Sequence, residues 1–294
     1  MMEYARLRPG PDFDPLHAAL YYTQRMAGRR WMREGVAATI ARAVSMRHPA
    51  LDIDDSRERL NTLSRNGLTA LPELVPQETL NDIRDHLADK KVYLRDHREV
   101  YLSEVPTTAA AADYSLRTVL SCSALVKLIN APRILNLVGA YLGCSPTISS
   151  VGLRWSFPCN GDIPDVQHFH RDPDDWRFVK LFVYLTDVDA GSGPHVYVKG
   201  SHRAPRTIRA RRYNRSQIEA RYGATNITPV LGSGGTAFIA DTYGIHMGEP
   251  PSGRPRLMLA AQYSLLPIYA FRYRPLVLDP KPMVDPYVNR LLIV

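Results

Sequence analysis

The chain has 294 residues, of which 45% are hydrophobic and 22% are charged, a composition typical of a globular protein with one large domain or two small ones. Its three cysteines include no CxxC pair, which argues against a disulfide scaffold or a zinc ribbon. The sequence has neither an apolar signal core nor an apolar run long enough to span a membrane, so we expect a soluble, cytoplasmic protein.

The formal charge of +8 is concentrated in two arginine-rich stretches. Residues 25–47 contain six arginines and one acid, and residues 203–215 contain six arginines and no acid. Because the remainder is slightly acidic, the charge indicates two local basic faces and no extended nucleic-acid surface. We interpret the first stretch as a packed helix with a solvated basic face. For the second we keep two readings open, a solvated loop or a loop that holds an anionic substrate at the mouth of a site.

Helices are predicted for the first part of the chain. Pro15, Pro76 and Pro132 each stand where proline is favoured, at the first turn of a helix. A further helical stretch lies near residues 36–44. Gly143 follows the last apolar position of the helix that begins at Pro132, and it is predicted to be a C-cap.

Strands are predicted from about residue 146 onward, where the apolar period changes. Short apolar or alternating segments are separated by turns rich in Gly, Pro and Asp. The predicted strands are residues 151–157, 178–185, 195–198, 236–240 and 256–266. Helices followed by many short strands favour a β-sandwich or a closed barrel and argue against a doubly wound sheet.

The segment QHFHRD at residues 167–172 is the richest in groups that bind metals. If it is a strand, its alternate residues His168, His170 and Asp172 point into one cavity. A His-x-Asp pair supplies one imidazole and one carboxylate, two thirds of the facial triad that binds non-haem Fe(II), and His246 is the best candidate for the third ligand. Two alternatives remain: His170 and Asp172 simply hydrogen-bond to each other, or His168 is an extra ligand in a cupin-like His-x-His site.

Arg256 begins an apolar strand ten positions after His246, where a guanidinium needs a partner. Its planar fork suits a carboxylate, and a dicarboxylate that chelates a metal at one end would present its far carboxylate there. Arg254 is the competitor, but it stands in a turn before Pro255 and is expected to be solvated. Lys180 reaches either the co-substrate or a surface acid.

These residues together resemble the phytanoyl-CoA dioxygenase family of Fe(II)- and 2-oxoglutarate-dependent oxygenases. The resemblance rests on His170 and Asp172, the distant His246 and the following Arg256. It extends over roughly residues 60–270, with supporting matches in QHFHRD at 167–172, KLFVYLTDV at 180–188, GP at 193–194 and GSH at 200–202.

The resemblance implies a mainly β, α+β fold with helical cover around a double-stranded β-helix, the jelly-roll or cupin-like core. We divide the chain accordingly into two parts. Residues 1–60 are expected to be a helical N-terminal extension packed on the core. Residues 61–294 are expected to be the oxygenase domain, so that the whole forms a single structural unit.

The resemblance also implies which residues form the site. Iron is expected to be bound by three residues that are also the catalytic ones: His170, Asp172 and His246. Arg256 is expected to bind the far carboxylate of 2-oxoglutarate, and we add Lys180 and Gln167 as further candidates for co-substrate binding. Position 248 is glycine, where some members of the family place a hydroxyl beside the co-substrate.

The expected activity is that of a dioxygenase that uses Fe(II), 2-oxoglutarate and O2 to hydroxylate a C–H bond of a small organic substrate, anionic substrates included, with release of succinate and CO2. The carboxylate ligand Asp172 favours hydroxylation over halogenation, because no coordination position is left for a halide. The expected partner is therefore a small molecule; neither a membrane nor a nucleic acid is expected. Two alternatives are a cupin-type metal enzyme that does not use 2-oxoglutarate and a non-catalytic protein that binds an acidic ligand.

Overall fold

A computed structural model describes residues 3–26, 29–50, 57–159, 168–204 and 212–294. The helices in these ranges are α1 (Pro15–Met26), α2 (Arg30–Ser45), α3 (Arg57–Asn66), α4 (Gln77–Leu87), α5 (Leu116–Ser121), α6 (Ser123–Ile129), α7 (Pro132–Leu142), α8 (Arg215–Tyr222) and α9 (Pro286–Asn289). The strands are β1 (Glu3–Tyr4), β2 (Leu68–Ala70), β3 (Val92–Tyr93), β4 (Glu99–Val100), β5 (Ala111–Tyr114), β6 (Thr147–Ser156), β7 (Phe178–Tyr184), β8 (His195–Val198), β9 (Ile227–Val230), β10 (Ala237–Ala240), β11 (His246–Gly248), β12 (Arg256–Ser264) and β13 (Phe271–Arg272).

Two antiparallel sheets form the β part of the described chain. The large sheet has eight strands in the order β2-β10-β7-β12-β6-β5-β3-β4, and the small sheet has three in the order β11-β8-β9. A separate two-stranded ribbon joins β1 to β13. Since the neighbours in the series β2-β10-β7-β12-β6 are distant in sequence, this part of the sheet is assembled by long-range pairing. The predicted β architecture with helical cover is confirmed.

The central strand β12 shows how the large sheet divides its two faces. Leu257 and Leu259 are buried in the main hydrophobic core, together with Leu153 of β6. The alternate residues Arg256 and Met258 line a cavity on the other face. This alternation follows from the two-residue period of a strand, and it gives the sheet one face for stability and one for binding.

The helix ends agree with the capping chemistry of the sequence. The side chain of Asp14 accepts a hydrogen bond of 3.0 Å from the backbone N–H of His17 in the first turn of α1. The helix α7 ends at Gly143, whose φ of 85° lies in the left-handed region that glycine adopts without strain.

Within the described ranges, no helix combines the length and the apolar character needed to cross a membrane. The helix α3 runs across the predicted division at residue 60, and that division remains a prediction.

The buried carboxylate of Asp175 ties several of these elements together. Its Oδ2 accepts hydrogen bonds from the backbone N–H groups of Leu265 and Leu266, at 2.8 and 2.9 Å. Its Oδ1 accepts from the Trp176 backbone at 2.7 Å and from the side-chain amide of Gln24 in α1 at 3.3 Å. One side chain therefore links helix α1 to the segment before β7 and to the segment after β12.

We expect Asp175→Ala to lower the free energy of unfolding by about 2–4 kcal/mol, because the loss of a charged acceptor leaves buried N–H donors without partners. Urea unfolding followed by circular dichroism measures this change. The matched control is Asp89→Ala, at an exposed position, for which we expect a change within about 0.5 kcal/mol. Equal stability of the two variants would contradict the role given to Asp175.

Candidate metal centre

Three side chains converge on one point beside the small sheet. Ligand atoms of His170, Asp172 and His246 all lie within 4.8 Å of one another. The Nε2 atoms of the two histidines lie 3.5 and 3.4 Å from the two carboxylate oxygens of Asp172. Among the described residues, no other three side chains of the types His, Cys, Asp and Glu form so compact a group.

Reciprocal backbone hydrogen bonds bring the segments around His170 and His246 together. The N–H of His170 donates to the carbonyl of His246 at 2.9 Å, and the N–H of His246 donates back at 3.0 Å. Two residues later, the N–H of Asp172 donates to the carbonyl of Thr242 at 2.9 Å. His170 and Asp172 therefore lie beside His246.

The strand considered for residues 167–172 is not a regular one in its described part. Only isolated bridges occur, from Phe169 to Tyr213 and from His170 to His246. One physical reason is Pro173, which has no N–H to continue a ladder beyond Asp172. His168 does not join the cluster, so among the described residues the cupin-like alternative gains no support from this site.

Backbone carbonyls orient both imidazoles. Nδ1 of His170 lies 2.7 Å from the carbonyl oxygen of His168, and Nδ1 of His246 lies 3.0 Å from that of Gly244. A carbonyl only accepts, so the hydrogen of each neutral ring resides on Nδ1 and the lone pair resides on Nε2, facing Asp172. A fixed tautomer whose free nitrogen points into the cluster is the usual arrangement of histidine ligands.

Lys180 of β7 sets the charge of the cluster. Its Nζ lies 2.7 Å from Oδ2 of Asp172 and 3.5 Å from Asp174. Burial raises the pKa of Asp172, but the ammonium group of Lys180, the strongest of the opposing influences, helps to hold that pKa well below its usual range. For His246 burial dominates and lowers the pKa. Asp172 is thus a carboxylate and His246 a neutral imidazole near neutral pH, which are the forms that bind metal ions.

A cavity of about 270 Å³ opens beside the cluster. The strands β6, β7 and β12 of the large sheet form one wall, and β8 and β11 of the small sheet face it. Besides the three clustered residues and Lys180, it is lined by Asp113, Gly152, Arg154, Ser156, Phe182, His195, Gly248, Arg256, Met258 and Ala260.

Arg256 is the least satisfied charge in this cavity. It is 3% exposed, and its only hydrogen bond within the described chain is one of 3.4 Å from Nη2 to the hydroxyl of Ser156. Its Nε and Nη1 atoms are buried without a partner among the described residues. Since an unpaired buried guanidinium is costly, Arg256 is suited to receive an anion. The competitor Arg254 is exposed and pairs with Asp189 outside the cavity.

The other candidates are placed as follows. Lys180 bonds to Asp172, so its contact with a co-substrate stays a prediction. Gln167 and residues 205–211 lie outside the described residues, and the predictions for Gln167 and for most of the arginine run stay as they were. At the described end of that run, Arg215 pairs with Glu249 at 3.1 Å.

Two groups in the cavity were missed by the sequence analysis. His195 is 2% exposed, and its Nε2 has no partner among the described residues. Arg154 makes a bidentate pair with Asp113, with N–O distances of 2.7 and 2.9 Å. Both could have been found by the feature that identified Arg256, which is a titratable side chain within an otherwise apolar strand.

Comparisons with known proteins give a family and a fold. The family model described as Phytanoyl-CoA dioxygenase (PhyH) matches residues 63–258. A comparison with curated protein sequences gives no match. Two solved structures of EctD from S. alaskensis are similar, one with bound Fe and one with 2-oxoglutarate and 5-hydroxyectoine. Their identities are 16% and 17% and their TM-scores 0.58 and 0.52; they cover 84% of this chain and 93% and 91% of their own.

A third similar structure is SnoK, a non-heme alpha ketoglutarate dependent carbocyclase from nogalamycin biosynthesis. It has 16% identity and a TM-score of 0.55, and the match covers 71% of this chain and 83% of SnoK. At such identities the likeness concerns the fold alone, and it confirms the predicted jelly-roll core.

We expect each of the variants His170→Ala, Asp172→Ala and His246→Ala to lose at least about tenfold in iron affinity, because facial binding needs all three ligands. Anaerobic titration of Fe(II) into the purified full chain measures this loss. His202→Ala is the control, since His202 is a buried histidine whose Nε2 bonds to the carbonyl of Ser64 away from the cluster. Full iron binding by the His246 variant would remove it from the ligand set.

Proposed function

The chain belongs to the phytanoyl-CoA dioxygenase family of Fe(II)- and 2-oxoglutarate-dependent oxygenases, and we propose that it hydroxylates a C–H bond of a small organic substrate. One observation carries this proposal. The same cavity contains the compact cluster of His170, Asp172 and His246 and the guanidinium of Arg256, which has no anionic partner among the described residues.

The donor set fits Fe(II). His170 and His246 would each offer a neutral Nε2, and Asp172 would offer a carboxylate oxygen, which is the 2-His-1-carboxylate set of non-haem iron oxygenases. Lys180 supports this assignment, because its ammonium group holds the carboxylate of Asp172 in one orientation and keeps it ionised. The protein thus prepares the geometry of the three proposed ligands and the metal-binding protonation states of Asp172 and His246.

The far wall of the cavity fits a dicarboxylate co-substrate. Arg256 would bind the distal carboxylate of 2-oxoglutarate through the Nε and Nη1 atoms that have no partner within the described chain. A bidentate guanidinium–carboxylate pair would replace the missing counter-charge and fix the orientation of the bound molecule. Ser156, at 3.4 Å from Nη2, supports the guanidinium from the side.

Together, bound iron and 2-oxoglutarate supply the oxidising chemistry, in which O2 and the co-substrate give succinate, CO2 and one oxygen atom for the substrate C–H bond. The side chains of the protein shape the cavity in which this chemistry would take place. Phe182, Met258 and Ala260 present apolar surface to the cavity and exclude water from it. The cavity volume of about 270 Å³ suits a small molecule, in keeping with the proposed class of substrate.

We also propose that residues 1–60 form a helical extension packed on the oxygenase domain of residues 61–294. Two contacts support this division of the chain. Arg33 of α2 donates hydrogen bonds to the carbonyls of Asp175 and Trp176, at 2.6 and 3.1 Å. Its guanidinium also stacks 3.7 Å above the ring of Tyr243, which belongs to the turn that leads to His246. The extension would thereby support the turn that carries a proposed ligand.

The activity is tested by Fe(II)-dependent conversion of 2-oxoglutarate to succinate, with a hydroxylated product identified by mass spectrometry from a substrate screen. A cupin-type enzyme that does not use 2-oxoglutarate and a non-catalytic binding protein would form no succinate. A carbocyclase shares this fold, and a cyclised product in place of an alcohol would contradict the hydroxylation.

We expect Arg256→Gln to weaken 2-oxoglutarate binding by at least about 30-fold, because the loss of a buried charge pair costs about 2–5 kcal/mol. Iron binding should stay within about twofold, because Arg256 contacts none of the proposed ligands. Calorimetry on protein loaded with Mn(II) measures 2-oxoglutarate binding without turnover. Arg254→Gln is the matched control, and weaker binding by this exposed variant alone would transfer the role to Arg254.

A further inference from the structure

Gly248 and His195 form a directly opposed pair between β11 and β8. Side chains of directly opposed residues in an antiparallel pair project from the same face of the sheet. A Cβ atom placed on Gly248 would lie 3.2 Å from Nη2 of Arg256. The imidazole of His195 and the guanidinium of Arg256 therefore lie on the same side of the small sheet, above Gly248.

The imidazole of His195 is held in place by its neighbours. Its ring centroid lies 4.6 Å from that of Phe182 and 5.3 Å from that of Phe238. It stacks on the ring of His246 at 5.5 Å, with an interplanar angle of 21°. Its backbone N–H donates to the hydroxyl of Tyr184 at 2.9 Å. The ring is thus fixed by contacts that leave its Nε2 without a partner in the described chain.

These positions define a slot. His246 stands two residues before Gly248 on the same strand, so both face the cavity. The slot runs from the proposed metal end beside His246 to Arg256. It passes Gly248, which has no side chain, and His195 lines its side. An elongated molecule that spans the metal end and Arg256 must pass this imidazole.

Two unsatisfied groups on one side of the slot point to one ligand. Within the described chain, Nε and Nη1 of Arg256 and Nε2 of His195 have no hydrogen-bond partner. Buried polar atoms without partners are few in native proteins, and two such side chains facing one slot call for a shared partner. A carboxylate offers two oxygens and about four acceptor positions, enough for the guanidinium and the imidazole together.

We propose that His195 is a second binding residue for the distal carboxylate of the co-substrate, donating from Nε2 to one oxygen while Arg256 binds the group as an ion pair. Gly248 keeps the slot open, because a Cβ atom there would lie 3.2 Å from Nη2 of Arg256, closer than an ordinary van der Waals contact. The inference rests on the proposed function, in which 2-oxoglutarate occupies this slot. It adds a neutral hydrogen-bond donor to the charged contact supplied by Arg256.

The test is 2-oxoglutarate binding to the full chain loaded with Mn(II), measured by calorimetry. His195→Phe keeps the aromatic contacts with Phe182 and Phe238 but removes both ring nitrogens. We expect it to raise the dissociation constant about tenfold or more, since a hydrogen bond to a charged group is lost. His195→Gln retains a donor and should recover most of the affinity. Mn(II) binding should be unchanged in both variants.

Two controls separate binding from structural support. His202→Phe alters another buried histidine and should leave 2-oxoglutarate binding unchanged. A structural role for His195 would weaken Mn(II) binding in the Phe variant as well, and that result would overturn the proposal. If His195→Phe fails to fold, His195→Leu takes its place in the same comparison with His195→Gln.

The outcomes also distinguish this inference from the proposed function. If Arg256→Gln loses affinity and His195→Phe does not, the slot binds 2-oxoglutarate without His195, and only the inference fails. If the wild-type chain loaded with Mn(II) binds no 2-oxoglutarate, the proposed function fails and the inference fails with it. Loss of affinity in both variants, with recovery in His195→Gln, supports the inference.

Discussion

The reciprocal backbone hydrogen bonds between His170 and His246 are the interaction on which the candidate site depends. They join a loop segment to the first residue of β11, and each peptide group donates once and accepts once, at 2.9 and 3.0 Å. Because the exchange fixes both Cα positions, the two imidazoles need only their Nδ1 bonds to neighbouring carbonyls to aim Nε2 at Asp172. The cluster is therefore built by the backbone before any metal is considered.

The buried charges near this exchange fall into two kinds. Lys180 is satisfied within the protein, since it pairs with Asp172 and Asp174, and it contributes to the fold and to the charge of the cluster. Arg256 is not satisfied within the described chain, although it is the more deeply buried of the two side chains. Burying a guanidinium without a counter-charge is unfavourable for folding. Lys180 therefore organises the site, whereas Arg256 is suited to bind a ligand.

Short-range patterns in the sequence predicted the features that depend on nearby residues, namely where helices begin and end and which strand residues are buried. The prolines predicted where α1, α4 and α7 begin, Gly143 predicted where α7 ends, and the alternation in β6 predicted its two faces. The convergence of His170, Asp172 and His246 was predicted from their chemistry. The place of His195 was not, because it depends on the register between β8 and β11, which is long-range information. The strand at residues 167–172 was expected from alternation alone, without the effect of Pro173.

The strand β12 couples stability to function through its register. Leu257 and Leu259 belong to the core, and a slip of one residue would expose them and bury Arg256 and Met258 in their place. The cost of exposing two leucines, about 1.5–3 kcal/mol each, keeps the strand in register. The apolar face thus holds the guanidinium of Arg256 in the cavity, although no anionic partner for it occurs in the described chain. A binding residue can remain without an anionic partner in the described fold because Leu257 and Leu259 of the same strand pack in the core.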